Sequence, residues 1–150
     1  LQTIKSKKLN YNVIELEITE SVLIRSVQEA YIKLEALRKK GVSVSLDDFG
    51  TGYSSLSYLQ NLPITTLKID RAFVEDITKN KISENLASFI ISMAHQMNLQ
   101  VVAEGVETKH QLDILKKYDC DKIQGFYFSR PVPEEEALLL LEKNIIEINI

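Results

Sequence analysis

The chain has 150 residues, 45% of them hydrophobic and 26% charged, the composition of an ordinary globular domain built round one core. Its 21 acidic residues against 18 basic, a net charge of -3, exclude the basic face by which a protein grips a DNA or RNA duplex. No apolar run approaches the ~20 residues that cross a bilayer, and the single cysteine, Cys120, excludes an internal disulfide.

In chain order, residues 13–19 are a β-rich run. Ser26 and Glu29 have the spacing of a capping box, with Val27, Ala30, Leu34 and Leu37 as the apolar stripe of the helix it opens and Gly41 as the stop. Residues 42–47 alternate apolar and polar, as a strand should. A glycine-bearing loop over 49–52 leads to a short helix over 54–62, ended by Pro63. Residues 66–70 are the next strand. Ile82, Leu86, Phe89, Ile90, Met93 and Met97 recur at helical spacing and are expected to face the core. A strand over 101–104 follows, then a second capping box between Thr108 and Gln111. Residues 122–125 are a short strand. Pro133 opens a final helix whose Glu134, Glu135 and Glu136 suit the positive end of its dipole.

Five successive β–α units of about 25 residues predict a parallel sheet with covering helices, doubly wound or a barrel. The glycine fingerprint of the dinucleotide-binding fold is absent, which favours the barrel.

The strand ends carry the chemistry. Glu17 lies near the end of the first strand, Asp47 and Asp48 end the second, Lys68 and Asp70 the third, Glu104 the fourth and Gln124 the fifth. In parallel barrels these C-terminal ends form the catalytic face. Four carboxylates on one face repel one another, and Lys68 alone cannot offset them. Hard divalent cations with oxygen ligands, Mg²⁺ or Mn²⁺, resolve the conflict. Two such ions ~3.5–4 Å apart suit in-line displacement at phosphorus, and their electrostatic stabilisation reaches beyond the ~3–5 kcal/mol that a positioned general base supplies.

Blander roles stand beside these. Asp47 and Asp48 are also a turn or capping pair, Glu17, Lys68 and Glu104 also solvated strand-end charges, and Gln124 also a structural amide. Glu15 reads as solvent-facing, His95 and His110 as exposed and non-catalytic, and Cys120 as a small buried side chain. Arg130 is a candidate phosphate contact.

Several segments resemble the EAL domain in order and spacing: residues 15–20 (Glu-Leu-Glu-Ile-Thr-Glu), 47–56 (Asp-Asp-Phe-Gly-Thr-Gly-Tyr-Ser-Ser-Leu), 67–70 (Leu-Lys-Ile-Asp), 102–107 (Val-Ala-Glu-Gly-Val-Glu) and 124–126 (Gln-Gly-Phe). The resemblance implies a parallel (βα) TIM-like barrel of the EAL type, with residues 1–150 the C-terminal part of a single EAL domain of about five βα units. It implies hydrolysis of cyclic di-GMP to linear pGpG with two Mg²⁺ or Mn²⁺ ions. Glu17, Asp47, Asp48 and Glu104 would then be metal ligands, with Lys68 and Glu104 catalytic and Lys68 holding the attacking water. Glu107 and Gln124 would support the site, and Glu20 would anchor the loop that follows Asp48. Implied too are a homodimer through this domain, companion regulatory or GGDEF-type domains, and a cytoplasmic location, with any membrane anchor outside this segment. The family's Glu-Ala-Leu segment, its nearby arginine and an early asparagine would precede Leu1, together with about three strands. The parent is therefore expected to be the enzyme and this chain alone to be inactive or feeble. The alternative is a module that binds cyclic di-GMP or docks a partner without turnover.

Overall fold

The computed structural model describes residues 6–25, 27–50 and 59–142. Strands β1 (Glu15–Thr19), β2 (Ser43–Phe49), β3 (Thr66–Ile69), β4 (Gln100–Ala103) and β5 (Lys122–Ile123) form one sheet, parallel throughout. Among the described residues, six α-helices accompany them: α1 (Glu20–Arg25), α2 (Val27–Arg38), α3 (Arg71–Asp76), α4 (Lys81–Gln96), α5 (Lys109–Lys117) and α6 (Glu134–Glu142). The strands neighbour one another in chain order, β1-β2-β3-β4-β5. Parallel crossovers are almost always right-handed, so an order without reversal keeps every crossover helix on the same side of the sheet. A doubly wound sheet needs a reversal. The order therefore selects the barrel type.

Pleating separates two chemistries. Val44, Leu46, Leu67, Ile69, Val101 and Ala103 are fully buried and belong to one apolar cluster with Ala87, Ile90, Ile91 and Ala94 of α4. Each such aliphatic side chain contributes roughly 1.5–3 kcal/mol through burial. The residues between them in β1, β2 and β3, Glu17, Ser45, Asp47, Thr66 and Lys68, alternate onto the opposite face. Register aligns Glu17 with Ser45, Thr19 with Asp47, and Ser45 with Thr66. A greasy face holds the helices; a polar face lines the concavity.

Two elements differ from the sequence reading. The core side of α4 is Ala87, Ile90, Ile91 and Ala94, with Met93 and Met97 half-buried, whereas Ile82, Leu86 and Phe89 are exposed. Alanine lets the helix approach the sheet closely, so the buried stripe is rotated away from the bulkiest residues. Helix α3 was not anticipated. Asp70 caps it, accepting a hydrogen bond from the Ala72 N–H at 2.8 Å.

The capping box at Thr108 and Gln111 is present, and Gln111 also donates to the Val74 carbonyl at 3.2 Å. Ser26 and residues 51–58 lie outside the described residues, so the first capping box and most of the expected 54–62 helix do too. Among the described residues, no helix is long and apolar enough to cross a membrane.

Candidate metal centre

Lys68, at the end of β3, is 6% exposed. Its Nζ lies 2.7 Å from Glu104 Oε1, 2.8 Å from Glu17 Oε1 and 3.2 Å from Asp47 Oδ1. One ammonium thus gathers carboxylates from β1, from β2 and from the residue that follows β4. Burial pulls the lysine pKa down, but hydrogen bonds to Glu104 and Glu17, with the Glu104 charge, outweigh it and hold it above the ordinary value. Lys68 is a fixed cation, not a base, at neutral pH.

A cavity of about 810 Å³ is lined by Glu17 from β1 and by Lys68, and also by Gln124, Phe126 and Arg130 beyond β5. Since β1 and β5 are opposite edges of the sheet, a shared cavity means that the sheet curls into an arc.

Asp47 and Asp48 sit on an irregularity. The β2/β3 register shifts between Leu46 and Phe49, Asp48 has a φ of 56°, and its N–H donates to Asp47 Oδ1 at 3.1 Å. Aspartate tolerates this left-handed conformation through such local bonds, and bulges re-aim side chains next to sites of chemistry. Burial, followed by the charges of Asp47 and Asp70, pushes the Asp48 carboxyl above the usual range, with Lys68 partly offsetting them.

The remaining candidates surround this cluster. Glu104 is positioned by its N–H, which donates to the Ile69 carbonyl at 3.1 Å. Glu107 pairs with Arg71 at 2.9 Å, on the segment just beyond Glu104. The Gln124 backbone joins Ala103 and Val106 while the residue itself lines the cavity. Glu20 is buried at the first position of α1; most of the loop it was expected to anchor lies outside the described residues. The Arg130 guanidinium stacks 4.9 Å from the Phe126 ring centroid. His95 bonds Asp121 at 2.9 Å, and Asp121 also accepts from the Val101 N–H at 2.8 Å, at the start of β4 rather than at the rim. Burial pushes the Cys120 thiol up to about 11, so it is inert. His110 is exposed. The sequence reading missed Arg71 and Phe73; the capping Asp70 was the available signal for the turn that carries them.

Every gathered donor is a carboxylate oxygen, which suits Mg²⁺, Mn²⁺ or Ca²⁺. Among the described residues, no three Asp, Glu, His or Cys side chains already stand as a metal cage. They close on an ammonium instead. The three oxygens share one partner, so no two are farther apart than a pair of these contacts laid end to end.

The chain has clear relatives. The EAL domain model matches residues 1–131. The cyclic di-GMP phosphodiesterase NbdA of Pseudomonas aeruginosa is 50% identical over 120 residues, which cover 80% of this chain and 15% of that protein. Among solved structures, the EAL domain of Mycobacterium smegmatis DcpA is 41% identical with a TM-score of 0.89, over 95% of this chain and 64% of that one. A manganese and cyclic di-GMP complex of Klebsiella pneumoniae BlrP1 is 32% identical with a TM-score of 0.80, over 87% of this chain and 33% of that one. The chain therefore spans a small part of the curated relative and part of each structure.

Proposed function

This chain belongs to the EAL domain family, and on that premise we propose that its polar rim serves the hydrolysis of cyclic di-GMP to linear pGpG. The observation that carries the reading is the convergence of Glu17, Asp47 and Glu104 on Lys68. Glu17, Asp47, Asp48 and Glu104 hold two divalent ions, Mg²⁺ or Mn²⁺; the manganese and cyclic di-GMP complex of BlrP1 supports such a site here. When bound, such ions polarise phosphoryl oxygens and make water a nucleophile near neutral pH.

The chain's own groups orient and neutralise. Once the carboxylates turn toward cations, the Lys68 ammonium is released to donate hydrogen bonds to the attacking water or a phosphoryl oxygen. Gln124 offers an amide on the cavity wall, and the bulge at Asp48 presents a second carboxylate beside Asp47. The EAL portions pair as a homodimer, and regulatory or GGDEF-type domains occupy other parts of a longer cytoplasmic protein. The length of NbdA relative to its matched segment supports that companion architecture.

The test incubates the full-length protein with cyclic di-GMP and Mn²⁺ and resolves products by chromatography. The expected product is linear pGpG, lost on chelation and in Glu104→Gln. Binding of cyclic di-GMP without turnover would replace the enzyme by a receptor.

A further inference from the structure

The chain just beyond Asp47 and Asp48, and the segment that carries Glu104, each contain a glycine with a positive φ, Gly50 at 95° and Gly105 at 72°. Both glycines face side chains from the same short turn. A Cβ at Gly50 would stand 2.7 Å from Cε2 and Cζ of Phe73, and a Cβ at Gly105 would strike Arg71 Cγ and stand 2.7 Å from Arg71 Cβ. A larger residue at either position would be strained by the positive φ and would have to displace Phe73 or Arg71.

We propose that the first turn of α3 is a wedge that sets the spacing of the two carboxylate loops on either side of Lys68, with Phe73 and Arg71 as its positioning residues. Phe73 packs against the β2 side and is half-buried on the core. Arg71 lies across the β4 side, its stem over Gly105 and its guanidinium on Glu107 at 2.9 Å. The turn itself is stiff. Asp70 accepts from the Ala72 N–H at 2.8 Å through its carboxylate and from the Phe73 N–H at 3.1 Å through its carbonyl. It follows Lys68 by two residues, so lysine, wedge and both loops form one packed unit. Neither Phe73 nor Arg71 touches the carboxylate cluster in any described contact; they act through the loops.

This inference rests on the reading that the carboxylates hold divalent ions, which tolerate little displacement of their ligands. The test is calorimetric titration of Mn²⁺ into the full-length protein without nucleotide, alongside thermal melts. Phe73→Ala and Arg71→Ala are each expected to weaken Mn²⁺ binding by about 10–100-fold. Phe73→Leu and Arg71→Lys, which keep most of the filling volume, are expected to stay near wild type. Alanine variants that melt earlier yet bind Mn²⁺ with wild-type affinity would overturn the wedge and leave the metal reading intact. A wild type that binds no Mn²⁺ would sink the metal reading and the wedge with it. If Phe73→Ala does not fold, Arg71→Ala decides the matter, because Arg71 is exposed.

Discussion

Lys68 occupies the place that a cation would contest. Its raised pKa means that its contribution to stability is complete below the unfolded value near ~10.4 and is lost only as pH rises through the higher folded value. Metal-free stability should accordingly show no loss from this group between neutral pH and mildly alkaline pH. Lys68→Met leaves three carboxylates facing one another. Its metal-free form is expected to lose about 2–3 kcal/mol in denaturant melts, less than for a fully buried pair because Glu17 is 55% exposed. Mn²⁺ should restore much of that loss, while turnover stays down by roughly 10²-fold or more. Asp48 has the opposite sign. Its raised pKa marks a charge that destabilises the fold once pH passes the folded value. Asp48→Asn should raise the neutral-pH melting temperature in chelator and weaken Mn²⁺ binding, a trade of function for stability. Glu17, Asp47, Lys68 and Glu104 were legible in the sequence, because charges at strand ends are expensive to bury without a reason. Arg71 and Phe73 were not, since their partners are glycines just beyond the ends of other strands.

At the scale of elements, what stayed hidden has a physical cause. Helix α3 spans Arg71–Asp76, too short for a hydrophobic period, and only its cap is written in the sequence. The buried stripe of α4 contains two alanines that a search for bulky residues passes over. His95, read as exposed and non-catalytic, is exposed and also forms part of a joint. Asp121, between α5 and β5, ties His95 of α4 to the start of the β4 backbone at Val101. Burial would raise the Asp121 pKa, but the bonds from His95 and Val101 outweigh it and lower it. A depressed carboxylate pKa gives stability that is present above the unfolded value near ~3.9 and is lost as pH falls through the folded one. Asp121→Ala should therefore cost about 1–2 kcal/mol at pH 7, kept modest by partial exposure, and the gap from wild type should close in acid. Melts across that pH range check it.

For the molecule as a whole, five β–α units were readable from periodicity and turn residues, whereas the sequential order of the strands, which separates a barrel from a doubly wound sheet, was not. The curl of the sheet was expected from the missing dinucleotide-fold fingerprint and the EAL resemblance rather than from periodicity, because it arises from strand twist summed over non-local pairs. That curl places β1 and the chain beyond β5 on one cavity and lets Glu17 reach a lysine two strands away. The apolar face of the sheet anchors the helices, and the polar face is left free to carry charge that a simple core could not hold. On the reading proposed above, divalent ions are what this charge holds. Anomalous diffraction from crystals of the full-length protein grown with Mn²⁺ tests it most directly. Manganese peaks are expected against carboxylate oxygens of Glu17, Asp47, Asp48 and Glu104, with Lys68 turned from at least one of its present partners. Carboxylates still closed on Lys68, with manganese absent from the rim, would contradict it.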